Sequence, residues 1–315
     1  MPLSLDQYAT YLDGRGLPWP AAPKADLPKV RAHLPRLEGI RGVLWTVYGT
    51  LLSISEGDLK FEVDNDLMMN VALDKTIHEF KMWASMSRKP GQPADYMREI
   101  YKRAFDDQRL TSSDEKTPEI AGEKIWEGII KKLFQKEYKF DAGFFGALNE
   151  YSRKVSYFFH ASLQGTGCYD NAAEAVAFLG ASGIAQGLLA DGQCFTATQL
   201  ARALLAQDAS IQFDMLVPLA SRVISFEHKA RKPSDTLFQA AVEAMGARGV
   251  EPGEILHIGS SLTRDIGPAK SWGMKTALFA GDRASLSATT EQLKDAKFRP
   301  DALLTDLGQV AELLA

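Results

Sequence analysis

The sequence has two cysteines, Cys168 and Cys194, in 315 residues. Two thiols exclude a disulfide framework and a zinc site built of cysteines, so a cytoplasmic protein with free thiols is expected. Long apolar runs are also missing. No stretch reaches the ~18 apolar residues of a membrane-spanning helix, so neither a transmembrane segment nor a membrane partner is expected. The opening Met-Pro-Leu-Ser-Leu-Asp lacks the basic region and apolar run of a secretory leader. Nor is there an excess of one charge. Lys and Arg number 36 against 40 Asp and Glu, a net −4, which argues against nucleic acid as the partner. Internal repeats and low-complexity segments are absent. What remains, 45% hydrophobic and 24% charged, is the composition of an ordinary globular protein. At roughly 100–200 residues per domain, its length predicts about two domains.

Proline is unevenly spread. Six of 14 prolines (Pro2, Pro18, Pro20, Pro23, Pro28, Pro35) fall in the first 35 residues. Proline fixes φ and removes a donor, so this stretch is expected to be an extended arm after a short helix near Leu5–Leu12. The arm could wrap the core or mediate a subunit contact; the oligomeric state stays open. Ile40–Thr46 reads as a buried strand ending in the turn Tyr48-Gly49-Thr50. Residues 64–160 read as about four helices, with apolar stripes Leu73, Ile77, Phe80, Ala84 and Phe144, Leu148, Tyr151, Val155, Phe158. From about 170, strands and helices alternate. Strands are predicted at Ile184–Leu189, Arg222–Ser225, Ile255–Ile258, Lys275–Phe279 and Ala302–Leu304. Helices are predicted at Ala172–Leu179, Thr196–Ala206, Ser234–Met245, Arg264–Trp272 and Leu307–Leu314. This rhythm implies an α/β fold: a doubly wound, Rossmann-like parallel sheet with helices on both faces and an all-helical insertion after its first strand. The boundaries expected are an arm at 1–38, a core at 39–52 and 166–315, and a helical cap at 53–165.

In an open parallel sheet, ligands bind beyond the carboxyl ends of the strands. Four segments stand there: Thr46-Val47-Tyr48-Gly49-Thr50, Ala190-Asp191-Gly192, Arg231-Lys232-Pro233 and Gly259-Ser260-Ser261-Leu262-Thr263-Arg264-Asp265. Their order and type resemble the four motifs of the haloacid dehalogenase-like superfamily of hydrolases. The anchors 46, 190, 232 and 260 are separated by gaps of 144, 42 and 28 (190−46, 232−190, 260−232). The long first gap falls where members of that family insert a cap. The resemblance implies that Thr46 holds the place of the aspartyl nucleophile. Tyr48 takes the place two residues on, as in the haloacid dehalogenases themselves. Ala190 replaces the hydroxyl of the second motif, Lys232 is the lysine of the third, and Ser260 replaces the acidic group of the fourth. Asp265 is the acidic residue that remains.

A threonine cannot form the aspartyl ester or acyl-phosphate intermediate. Magnesium wants oxygen ligands including one or two carboxylates, so none is expected, and no other cofactor. The resemblance therefore implies a member that has lost the aspartyl-nucleophile reaction. Its catalytic positions would be Thr46, Lys232 and Asp265. Tyr48, Gly49, Thr50, Ala190, Asp191, Gly192, Ser260 and Ser261 would line the cleft. Lys232 would hold a small anion, or the cleft would hold a partner. The alternative is an active phosphatase- or dehalogenase-like hydrolase with altered chemistry, Thr46 attacking or Asp191 supplying the carboxylate. Cys168 or Cys194 with His160 could form a nucleophilic pair, but small core cysteines and a capping histidine are expected; Arg88-Lys89-Pro90-Gly91 could meet an anion over the cleft, but a solvated turn is expected.

Overall fold

The computed structural model describes residues 1–86, 91–110 and 115–314. The strands in chain order are β1 (Gly42–Trp45), β2 (Leu52–Ser53), β3 (Gly167–Cys168), β4 (Ala185–Ala190), β5 (Arg222–Ile224), β6 (Ile255–Gly259), β7 (Lys275–Phe279) and β8 (Ala302–Leu304). Six of them form one parallel sheet in the order β5-β4-β1-β6-β7-β8. β1 lies inside it, Gly42–Trp45 pairing with Ala185–Leu188 on one side and Ile255–Ile258 on the other. Buried on both faces, β1 is apolar throughout rather than alternating. Val43 and Trp45 face one apolar layer and Leu44 the opposite one, with Leu237, Phe238 and Met245. The one polar atom of Trp45, Nε1, is satisfied by Gln186 Oε1 at 3.0 Å. Chain order reverses about β1, so the loops after β1, β4 and β6 diverge and leave a crevice at their carboxyl ends.

The helices are α1 (Leu5–Asp13), α2 (Asp66–Glu79), α3 (Pro93–Leu110), α4 (Gly122–Phe134), α5 (Ala142–Phe145), α6 (Leu148–Leu163), α7 (Ala172–Ala181), α8 (Thr196–Gln207), α9 (Phe213–Leu216), α10 (Ser225–His228), α11 (Asp235–Gly246), α12 (Gly267–Ser271), α13 (Thr290–Lys294) and α14 (Val310–Leu314). Helices α2, α3, α4 and α6 pack on one another as a bundle between β2 and β3. β2 and β3 pair antiparallel, Leu52 with Cys168 and Ser53 with Gly167, and tie together the two crossings into this layer. No helix among the described residues is long and apolar enough to cross a membrane.

Both apolar stripes predicted for the helical layer are interrupted. Helix α2 ends at Glu79; Lys81 turns left-handed (φ 52°), and Ala84 is exposed beyond it. Gly146 (φ 86°) separates Phe144 from α6. Residues 88–90 of the expected basic turn lie outside the described residues. Helix α1 does not stand alone as part of an arm. It opens with a reciprocal cap between Ser4 and Gln7, and Tyr8, Ala9 and Leu12 are buried in the apolar core of the helical layer. The following chain crosses to the sheet. Ala21 lies against Gly165, where a Cβ would be 2.2 Å from the Ala21 carbonyl oxygen. His33 bridges antiparallel to Leu303, and Leu37 N–H donates to the Leu313 carbonyl at 2.8 Å.

Candidate functional site

Three strand ends deliver the central group. Thr46 follows β1, and its amide continues the pairing to the Ile258 carbonyl at 2.9 Å. Asp265 follows β6 on a π-turn, Leu262–Ile266, closed by Ile266 N–H to the Ser261 carbonyl at 3.1 Å. This turn stands where a regular helix from Arg264 was predicted. Pro268 has no N–H, so α12 begins only at Gly267. The turn folds Asp265 back onto β6, and only glycine fits beneath it: a Cβ on Gly259 would lie 2.4 Å from Asp265 Cγ. Lys232 comes from the loop after α10, anchored by its backbone N–H to Asp191 Oδ1 at 2.8 Å.

These three side chains are buried and mutually bonded. Lys232 Nζ donates to Thr46 Oγ1 at 2.9 Å and to Asp265 Oδ1. Thr46 Oγ1 donates to Asp265 Oδ1 at 3.0 Å. Asp265 Oδ2 accepts the Ser261 amide at 2.9 Å. Burial alone pushes the Asp265 carboxyl up. The Lys232 ammonium and His257, whose Nε2 is 3.5 Å away, outweigh that and hold it well below the ordinary carboxylate range. Burial holds the His257 imidazole below its own ordinary value. Lys232, expected to hold an anion, is already matched by Asp265.

A second charged group closes the crevice above the first. Arg264 Nη1 donates to both oxygens of Asp58, at 3.0 and 2.9 Å. Arg264 also lies 3.7 Å from Asp191 Oδ2. Arg231 stands 3.8 Å from Glu119, 3.9 Å from Asp191 and 4.0 Å from Asp58. Glu119 enters from the chain ahead of α4, where Pro118 bridges to Ala230. Ser225 Oγ donates to Glu119, and accepts from the Gly192 amide at 2.8 Å. Burial pushes the Glu119 carboxyl up to about 7, against the pull of Arg231 and Ser225. The cavity left among Asp58, Glu119, Asp191 and Arg231 is ≈ 10 Å³, no more than one water.

The other expected cleft residues divide. Ser261 caps the π-turn, accepting from Arg264 N–H at 3.2 Å. Ser260 packs on Gly49 (φ 79°), where a Cβ would be 2.9 Å from Ser260 Oγ. Ala190 is fully buried at the end of β4. Thr50 Oγ1 is buried with no partner among the described residues. Tyr48 is not directed to Lys232. Its hydroxyl donates to Gln199 Oε1 at 2.6 Å and lies 3.0 Å from Thr196 Oγ1, both on α8.

Cys168 and Cys194 are free thiols, partly buried, and His160 is buried. Burial pushes the Cys168 thiol up to about 12, takes Cys194 well above its ordinary value and lowers His160 to about 3. Arg231 and Arg264 were legible only as neighbours of Lys232 and Asp265. Nothing in the sequence marked Asp58 or Glu119.

The donor set around the ring is poor in free carboxylate oxygen. Thr46 and Ser260 offer hydroxyls, and both oxygens of the one carboxylate are engaged, one by an ammonium. Among the described residues, no group of three or more His, Cys, Asp or Glu is placed to hold a metal.

Comparison with known proteins gives three findings. Residues 229–310 match the family model described as HAD-hydrolase-like. A 54-residue stretch is 43% identical to the Drosophila melanogaster Rhythmically expressed gene 2 protein, covering 17% of this chain and 21% of that one. The chain thus matches about a fifth of that relative's length. Among solved structures, the 2-haloacid dehalogenase of Pseudomonas syringae pv. Tomato DC3000 aligns with a TM-score of 0.52 at 16% identity, over 87% of this chain and 97% of that one. The HAD phosphatase of Thermococcus onnurineus aligns at 0.45 and 19%, over 87% and 97%.

Proposed function

On its haloacid dehalogenase-like fold, we propose that this chain does not carry out hydrolysis through an aspartyl nucleophile and instead binds a small anion at the mouth of the crevice. One observation carries the first half: the closed ring of Thr46 Oγ1, Lys232 Nζ and Asp265 Oδ1. No carboxylate stands at the nucleophile position. The hydroxyl there has no competent base. Lys232 donates to it, whereas a general base must accept. Its own proton points to Asp265, whose carboxyl is held so low that it is a weak base. Asp191 is no substitute, because Oδ1 accepts the Lys232 amide and Oδ2 faces two arginines. The anion-binding half rests on those arginines, since Lys232 is matched within the ring.

The test is a turnover panel of phosphate monoesters, 2-haloacids and acyl esters, with and without magnesium, on purified protein. We expect no turnover above the uncatalysed rate. Turnover that disappears in Thr46→Ala or Lys232→Ala would overturn the reading.

A further inference from the structure

We propose that Asp58 is a tethered carboxylate occupying a small-carboxylate site formed by Arg264 with Arg231, and that a free monocarboxylate displaces it. The proposal rests on the anion-binding reading above and names the residues, the ligand class and the internal competitor. The contact is a charge-assisted one that a free carboxylate can also make: both oxygens of Asp58 accept from one nitrogen of Arg264, Nη1, at 3.0 and 2.9 Å. Arg231 is second in line, 4.0 Å from the same carboxylate.

The pairing of charges, rather than their count, assigns Arg264 to Asp58. Three cations, Arg231, Lys232 and Arg264, face four carboxylates, Asp58, Glu119, Asp191 and Asp265. Lys232 is matched by Asp265, and Arg231 lies between Glu119 and Asp191. Asp191 also gives one oxygen to the Lys232 amide. Asp58 is the one carboxylate that engages Arg264 with both oxygens. Asp58 and Arg231 also line the ≈ 10 Å³ cavity. Deleting the Asp58 carboxylate enlarges that space by one carboxylate, which suits acetate or formate and is too small for a phosphate ester.

Asp58 is also placed to leave. It lies partly exposed on the linker between β2 and the helical layer, just after Gly57 (φ 69°). Its backbone carbonyl is tied at 3.1 Å to Gln164 Nε2, at the end of α6. Swinging it out therefore disturbs both chain crossings into the helical layer. A side chain tethered this closely competes at an effective concentration of about millimolar or above, so the site takes free ligand only weakly while Asp58 is in place.

The experiment is acetate binding by calorimetry to the full chain at neutral pH. We expect Asp58→Ala to bind acetate at least ~10-fold more tightly than wild type, and Asp58→Ala with Arg264→Met to lose that gain. Equal affinity of wild type and Asp58→Ala, or a gain that survives Arg264→Met, would overturn the proposal and leave Asp58–Arg264 an ordinary ion pair. Should Asp58→Ala fail to fold, hydrogen exchange of wild type with and without saturating acetate decides. Faster exchange over residues 54–61 supports displacement; unchanged exchange overturns it. Failure here with no turnover on the panel removes only the Asp58 site. Turnover on the panel removes the parent reading whatever acetate does.

Discussion

Asp265→Ala is the sharpest single perturbation of the buried ring. The side chains of Lys232 and Asp265 are 2% and 3% exposed, so neither can recruit bulk water when the other is lost. Among the described residues, truncation leaves the Lys232 ammonium hydrogen-bonded to Thr46 Oγ1 alone and the Ser261 amide without an acceptor. Removing one member of a buried pair costs about 3–5 kcal/mol, and a buried orphaned amide about 1–3 kcal/mol, the two overlapping in part. We expect a loss of about 4–6 kcal/mol, a large share of the ~5–15 kcal/mol that holds a folded protein together. Urea unfolding at pH 7, followed by tryptophan fluorescence, measures it. Removing both charges should recover part of the loss. Asp265→Asn with Lys232→Met is expected to be at least ~2 kcal/mol more stable than the two single losses would sum to. The acid limb gives a second reading. A carboxyl held below its unfolded value contributes stability that is full above about pH 4 and drains away as pH falls toward the folded value. The gap between wild type and Asp265→Asn should therefore narrow below about pH 4. An Asp265→Ala protein within ~1 kcal/mol of wild type at pH 7, or strictly additive charge removals, would refute the reasoning, because the ring would then be solvated or uncoupled.

Two further outcomes follow from the same geometry. Glu119 is pushed up from 4.5 to about 7, so the folded chain keeps a proton that the unfolded chain gives up between those values. Stability should fall by ~3 kcal/mol as pH rises from about 4.5 to 7 and then level off, and Glu119→Gln should flatten this slope in unfolding curves across that range. Gly57→Ala must place a Cβ 2.6 Å from Ser285 Cα at a backbone φ of 69°. A loss of ~2–4 kcal/mol is expected in thermal unfolding, and an unchanged midpoint would show that the loop around Ser285 yields freely.

How much was legible in the sequence depended on how local each signal was. The mostly apolar stretches at 42–45, 185–190 and 255–259, broken only by Gln186 and His257, announced strands because both of their faces are covered, and the order of strand and helix then placed the loops at one edge of the sheet. Thr46, Lys232 and Asp265 sit on three of those loops and do meet. Tyr48 was placed beyond the end of β1 by strand order and by resemblance; that its hydroxyl is held by Thr196 and Gln199 on α8 was not legible. Asp58 and Glu119 escaped because their partners lie across the chain at Arg264 and Arg231, with no periodicity to mark a contact of that span. The helix at Leu5–Asp13 was visible, and proline content marked the stretch as an extended arm that could wrap the core, but not where the helix packs. Tyr8 and Leu12, four residues apart on one face, carried the signal that this helix buries a side.

The path of residues 19–38 sets an order on biosynthesis. His33 bridges to Leu303, and Leu37 bonds to Leu313, so these contacts join chain positions made about 270 residues apart (303 − 33). At about 5–20 residues per second, the segment is made roughly 14–54 s before its seat on β8 exists. Helix α1 can dock much earlier, once the helices that bury Tyr8 and Leu12 have been made. The helical layer thus acquires its N-terminal helix while the sheet is still being translated. The connection from that layer across to β8 is the last piece of the fold to be fastened.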